Sequence, residues 1–429
     1  MRSDARTPRV HLAVDNCFAS KRWTRPSQWM ELVRDLGLRC VEASADTEAD
    51  PLYCGEDYMA RWGEEVARCQ DETGARVVNL YSGHGTYTTL GLGHTEESVR
   101  RRMLELWIKP MVRTAARLGA GLGFYCHAFA DEVLQEPSTY AAKIEQLHAQ
   151  LVEVAAFAAA AGVTIGVEQM YSPHQYPWTI EGARELIHRV FQVGGHPLYI
   201  TIDTGHQTGQ RRFRRPEASI IVERASDASG PAAAQRSGDL RPSAVAGLWL
   251  GSREAHARFE RCVVQGTGLS SQDLAFLAED MDRHPFLFSS PRDSDPYGWI
   301  QDLGRFSPIV HLQQVTGASS SHLPFTEATN RSGIIHPQKV LASLRESCQR
   351  ALPAGFPPPP EDLYLTLEIF AGTAETPSEI LGKLRESVGF WRRYVPEDGV
   401  RLEDLDVPGI PDRPAPDRPA SDRPAPDRP

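Results

Sequence analysis

The sequence predicts a (β/α)8 barrel, and three observations carry that prediction. Short runs rich in β-branched and aromatic residues recur eight times along the chain. Amphipathic stretches long enough for helices separate most of them. Ionisable residues stand at the C-terminal ends of several runs, where a closed parallel barrel gathers its catalytic groups. Taken in order, the first run is VHLAVD, ending at Asp15. RCVEAS around Glu42, RVVNLYS around Tyr81 and GLGFYCH ending at His127 follow. The last four are VTIGVEQ with Glu168, LYITIDTGH with Asp203 and His206, SPIVHLQQ with His311, and LYLTLEIF with Glu368. Helices are expected over 26–36, 56–73, 95–118, 139–161, 179–193, 296–303, 336–352 and 377–394. Thr95 before Glu96 and Glu97, and Ser378 before Glu379, are helix-start signals; Gly37, Gly74, Gly119 and Gly162 are stop signals. Strict alternation implies parallel strands with right-handed crossovers. A doubly wound open sheet is the other fold that this alternation allows.

Two regions break the rhythm. Roughly a hundred residues separate Asp203 from His311, about three times what one βα unit needs. The excess, about 207–295, reads as an insertion after strand six. It should lie on the catalytic face, as a lid, a subunit contact or a surface excursion. Within it, 225–246 is rich in Ala, Ser, Gly and Pro and reads as a flexible loop, and Ser270 and Ser271 open a helix over 271–283. The barrel is expected to occupy 9–395. The segment 396–429, with its repeated Asp-Arg-Pro-Ala, reads as an extended, disordered Pro-rich tail.

Composition narrows the function classes. The 429 residues are 41% hydrophobic and 24% charged, ordinary for a globular enzyme. A net charge of −10 argues against a general nucleic-acid partner. The longest apolar stretch, 152–161, is too short for a bilayer, and the N-terminus has no apolar signal core. Seven scattered cysteines with no CxxC pair suit reduced thiols and a cytoplasmic location.

Four residues carry the expected chemistry. Glu168, Asp203, His311 and Glu368 each end a greasy run, on strands five to eight. Isolated buried carboxylates would each need a local partner, and clustered ones repel unless a cation neutralises them. Three carboxylates and an imidazole make an oxygen-rich site for Mn²⁺, Mg²⁺ or Co²⁺. The strand-end residues His84 and His127 are candidates for substrate contact. Lys21, Arg22 and Arg331 are candidate phosphate ligands, since each follows a strand that opens toward the expected pocket. The arginines at 211, 212, 214 and 215 offer either an anion site or anchors for the insertion.

This order of residues resembles the xylose isomerase-like TIM-barrel superfamily of sugar and sugar-phosphate isomerases and epimerases. There, strand five ends in Glu, strand six carries Asp-x-x-His, strand seven a His and strand eight a Glu. Here these are Glu168, Asp203-Thr204-Gly205-His206, His311 and Glu368. The stretch DNCFASKRWTRPSQW after strand one is similar to the tetrulose-phosphate (erythrulose phosphate) epimerases of erythritol breakdown. The resemblance implies that Glu168, Asp203, His311 and Glu368 hold the metal, with Glu168 and Glu368 also moving protons, and that His206 either supports the ligands or contacts the substrate. It implies a small-molecule sugar or sugar-phosphate substrate and a homo-oligomer.

The expected reaction is epimerisation or isomerisation of a ketose or ketose phosphate, by proton abstraction next to the carbonyl through a metal-stabilised enediolate. A dehydratase of a keto-sugar or keto-inositol is the alternative on the same scaffold. Abasic-site endonucleases are related barrels, but they need Asp-x-His after strand seven. In SSSHLPF, His322 lacks the aspartate two residues before it.

Overall fold

Every strand expected from the sequence forms in the computed structural model, which describes residues 7–82, 90–126, 128–229, 247–264 and 268–406. The barrel strands are β1 (Arg9–Asp15), β2 (Cys40–Ser44), β3 (Arg76–Ser82), β4 (Gly121–Phe124), β5 (Ile165–Glu168), β6 (Tyr199–Asp203), β7 (Ile309–Leu312) and β8 (Asp362–Leu367). Each pairs in parallel with the next, and β1 pairs with both β2 and β8, so the sheet closes. Closure makes a TIM barrel and rules out the open sheet. The strands are buried on both faces, which is why they read as near-continuous apolar runs. β4 stops at Phe124, three residues short of the end expected at His127.

The helices follow their signals closely. Glu56–Thr73 and Pro296–Leu303 match the expected bounds residue for residue. Gly74 and Gly119 end their helices in the left-handed conformation, at φ of 72° and 67°. Ser271–Arg283 forms with a full capping box, in which Ser270 and Asp273 satisfy each other's backbone N–H groups.

The structure corrects the boundaries of the irregular regions. Residues 396–406 do not belong to an extended tail. β9 (Val400–Arg401) pairs antiparallel with β1, and Leu402 and Leu405 are buried in the barrel's core. Residues 407–429 lie outside the described residues. The expected flexible loop begins later than 225, because a helix runs over Ala218–Ser229; 230–246 lie outside the described residues.

The insertion has its own small core, built on Ile221, Leu250, Phe259, Leu277 and Met281. Arg214 donates to Ser294 Oγ at 3.0 Å, and Arg215 pairs with Asp282 at 2.6 Å. These arginines therefore anchor the insertion, the second of their two expected roles. Phe286 stacks on Tyr140 at 4.0 Å, and Asp293 accepts the N–H of Ile180 at 2.7 Å. The insertion thus docks on the outer helices that follow β4 and β5. Among the described residues, no helix is long and apolar enough to cross a membrane.

Candidate active site

Parallel closure carries the strand ends to one mouth, and register sets their levels. Asp203 lies directly beside His311 across the β6–β7 pair. Glu168 ends β5, and Glu368 follows β8 with its N–H donated to Leu312 O at 3.1 Å. All four side chains are buried. His311 Nδ1 lies 3.0 Å from Glu168 Oε1 and 3.7 Å from Glu368 Oε2. Candidate ligand atoms of Glu168, Asp203 and His311 fall within 4.8 Å of one another, as do those of Asp203, His322 and Glu368.

Asp203 is the most firmly held of the carboxylates. It accepts the N–H of Gly205 at 2.6 Å and of His206 at 3.0 Å, and both its oxygens take Gln313 Nε2 at 2.9 Å. The glycine of Asp-x-x-His is explained by this contact, because a Cβ at Gly205 would collide with the Gln313 amide. Burial pushes the Asp203 carboxyl up, but His206, His322, His311 and Gln313 outweigh it and hold it below the usual range. Glu368 goes the other way. Burial raises it despite His311 and His322 beside it.

Several site residues carried no expected role. Asp15 ends β1 and lines the same pocket; burial first, then Glu42 and Glu368, raises its carboxyl well above the ordinary value. Glu42 on β2 accepts from His311 Nε2 at 2.8 Å. Tyr81 on β3 donates to Glu168 Oε2. Both Asp15 and Glu42 bore the same signal as the four chosen residues, an ionisable group in a greasy run. His322 sits on the loop after β7, at φ 44°, a left-handed backbone that non-glycine residues rarely adopt. Its Nδ1 lies 3.3 Å from Glu368 Oε2, a buried ion-pair contact. Its ring stacks on Phe370 at 4.1 Å. No strand pattern marks a loop residue of this kind.

The pocket over this cluster has a volume of about 480 Å³, and Asp46, Tyr171 and His206 join its lining. His206 is held by Gln169 O at 2.7 Å from Nδ1 and by the edge of Tyr171. His84 and His127 lie outside the described residues. Arg22 and Arg331 do not line the pocket. Arg22 spends its guanidinium on the carbonyls of Gly372 at 2.8 Å and Glu375 at 2.7 Å, which pins the loop after β8. Arg331 is three-quarters exposed and pairs with Glu327 at 2.6 Å. Lys21 is exposed beside Ser20, which does line the pocket. Among the described residues, none from 207–295 lines it.

With this geometry in view, comparison with known proteins is informative. Residues 30–241 match the family described as xylose isomerase-like TIM barrel. The matched stretch is just under half of the chain, whose closed parallel sheet is a TIM barrel. A D-erythrulose 1-phosphate 3-epimerase of Brucella abortus (strain 2308) is 26% identical over 147 residues. That match spans 33% of this chain and 44% of the relative's length. Among solved structures, a proposed xylose isomerase of Rhodospirillum rubrum ATCC 11170 superposes with a TM-score of 0.57 at 16% identity. The superposition covers 89% of this chain and 97% of that one. A D-psicose 3-epimerase of Clostridium cellulolyticum H10 gives 0.51 at 12% identity, covering 89% and 98%. At these identities the two structures speak to the fold.

Proposed function

We propose that this xylose isomerase-like barrel is a divalent-metal-dependent epimerase or isomerase of a ketose or ketose phosphate. The observation that carries the reading is the convergence of Glu168 and Glu368, from non-adjacent strands, on His311 beside Asp203. The donor set suits a hard cation: it is buried and oxygen-rich, with candidate ligand atoms of Glu168, Asp203 and His311, and of Asp203, His322 and Glu368, close together. Glu168, Asp203, His311 and Glu368 would hold it. When bound, a divalent cation supplies Lewis-acid polarisation of the substrate's carbonyl.

The chain's own residues supply the rest. One of Glu168 and Glu368 takes the proton from the carbon next to the carbonyl, leaving an enediolate. Return of a proton by the other, from the opposite side, inverts that carbon; return to the neighbouring carbon interconverts aldose and ketose. Tyr81 fixes the Glu168 carboxylate by its hydroxyl. His206, His322, His311 and Gln313 keep Asp203 ionised, and the Gly205 and His206 N–H groups help to hold it in place. His206 and His322 line the pocket as contacts for substrate hydroxyls. The Brucella relative's named substrate makes tetrulose phosphates the first compounds to try.

The test is incubation with tetruloses, pentuloses and their phosphates in D₂O with Mn²⁺, followed by NMR and mass analysis. Deuterium at the carbon beside the carbonyl, with a product otherwise of equal mass, supports the reading. Loss of water in the product would instead assign a dehydratase, and no exchange on any of these compounds would sink the proposal.

A further inference from the structure

Glu42 lies outside the four residues just assigned to the cation, yet it touches one of them. We infer that Glu42 is a positioning residue for His311, with Asn79 holding Glu42 in turn; the inference rests on His311 being a cation ligand. Both Glu42 oxygens are engaged. Oε2 lies 2.8 Å from His311 Nε2, and Oε1 accepts Asn79 Nδ2 at 2.6 Å. Glu42, Asn79 and His311 are all buried, and Glu42 and His311 come from opposite walls, β2 and β7. A carboxylate placed there is costly unless both oxygens are met.

The geometry sorts the two imidazole nitrogens. Nδ1 faces Glu168 and Glu368, at 3.0 and 3.7 Å, while Nε2 faces Glu42 alone among the three glutamates. A ring nitrogen that binds a cation must be free of its proton, so the other must carry it and needs an acceptor. Glu42 is that acceptor. It fixes the ring plane and makes Nδ1 a stronger donor toward the carboxylates, the role that second partners of metal-bound histidines play.

The layer below prepares Glu42. A Cβ at Gly121 would come within 2.6 Å of Asn79 Oδ1, and one at Gly123 within 3.0 Å of Asn79 Nδ2. These two glycines of β4 leave the space in which the Asn79 amide lies and reaches Glu42. The order of support therefore runs from β4 glycines to Asn79, to Glu42, to His311.

Calorimetric titration of the full, EDTA-stripped chain with Mn²⁺ tests this. Glu42→Gln keeps the volume but turns an N–H toward a neighbour that already donates. It should weaken Mn²⁺ binding by about 10–100-fold. Asn79→Ala, at a residue bonded to Glu42 and not among the four assigned ligands, should weaken it in the same direction and by less. His311→Ala sets the floor. Weak binding by His311→Ala with Mn²⁺ affinity within about twofold of wild type in both Glu42→Gln and Asn79→Ala overturns the positioning role and leaves the ligand assignment standing. Wild-type affinity in His311→Ala overturns the ligand assignment, and this inference with it. Should Glu42→Gln fail to fold by circular dichroism, Asn79→Ala and the ¹⁵N spectrum of Mg²⁺-loaded wild type decide. A protonated His311 Nε2 supports the inference, and an unprotonated one overturns it.

Discussion

At the N-terminal mouth of the barrel, Asp362 meets Arg9 at 2.7 Å and His11 at 2.8 Å. At the C-terminal mouth, Glu42, Glu168, Asp203 and Glu368 crowd together, and among the described residues His206, His311 and His322 pair with them. Each mouth encloses a cavity of similar size, about 400 Å³ below and about 480 Å³ above. The lower one is lined by glycines, Asn79, Thr201 and Tyr364, where many barrels of this fold pack branched aliphatics. The hydrogen bond from Arg9, set against partial burial, holds Asp362 below the usual carboxylate range, whereas burial pushes Glu368 and Asp15 above it. One end has settled its charges among its own side chains; the other retains crowded carboxylates that an added cation would satisfy. Strained electrostatics confined to one end of one scaffold is what a functional site is expected to show.

The comparison breaks first, and most visibly, in activity. Glu168→Gln or Glu368→Gln should lower kcat by about 10³-fold or more in the deuterium-exchange assay, while Asp362→Asn at the opposite mouth stays within about twofold. Equal losses at both ends would erase the distinction. Stability divides the upper mouth itself. In EDTA-treated protein at neutral pH, Asp203→Asn should cost about 1–3 kcal/mol, because a carboxylate with four donated hydrogen bonds is removed. Glu368→Gln should cost less, since burial works against its charge and offsets the pairing with His311 and His322. Urea unfolding of both variants measures this, and a loss in Glu368→Gln as large as that in Asp203→Asn contradicts it.

pH sharpens the contrast further. Burial pushes the His322 imidazole down, but Glu368, Asp203 and Glu168 outweigh it and lift it to about 9. A raised imidazole stabilises fully below its unfolded value near 6.5, and that contribution is lost as pH rises through about 9. Metal-free protein should therefore lose stability across that window, and His322→Gln should flatten the profile; an unchanged slope in the variant refutes the assignment. The smallest effect belongs to the lower mouth. The Thr201 hydroxyl is buried without a partner. Thr201→Val should thus be neutral or stabilising by up to about 1 kcal/mol, and a marked loss in thermal unfolding would mean that the hydroxyl is satisfied.

How much was legible in the sequence follows from the range of each cue. VTIGVEQ, LYITIDTGH, SPIVHLQQ and LYLTLEIF declare both a strand and its terminal polar group, because a charge in an apolar run has no local use. Asp15 in VHLAVD and Glu42 in RCVEAS carry the same cue, but read as strand markers their chemistry stayed hidden. Tyr81 reads equally well as a core aromatic. His322 depends on how a loop folds back over the mouth, and nothing periodic encodes that. Arg22 and Arg331 fail for the same reason in reverse: their nearness to strand ends said nothing of where the side chains turn. Residues 396–406 look polar and terminal, yet two buried leucines and a two-residue β pairing tie them to β1.

The sequence alone determined the alternation of strands and helices, the closely placed helix caps and the four polar strand ends, because periodicity, capping and turn chemistry act over a few neighbouring residues. Only the tertiary structure decided which side chains meet. The contact of Glu42 with His311 spans 269 residues of chain, and that of Tyr81 with Glu168 spans 87. Such pairings follow from closure of the sheet and its register, and these arise from packing the whole core at once.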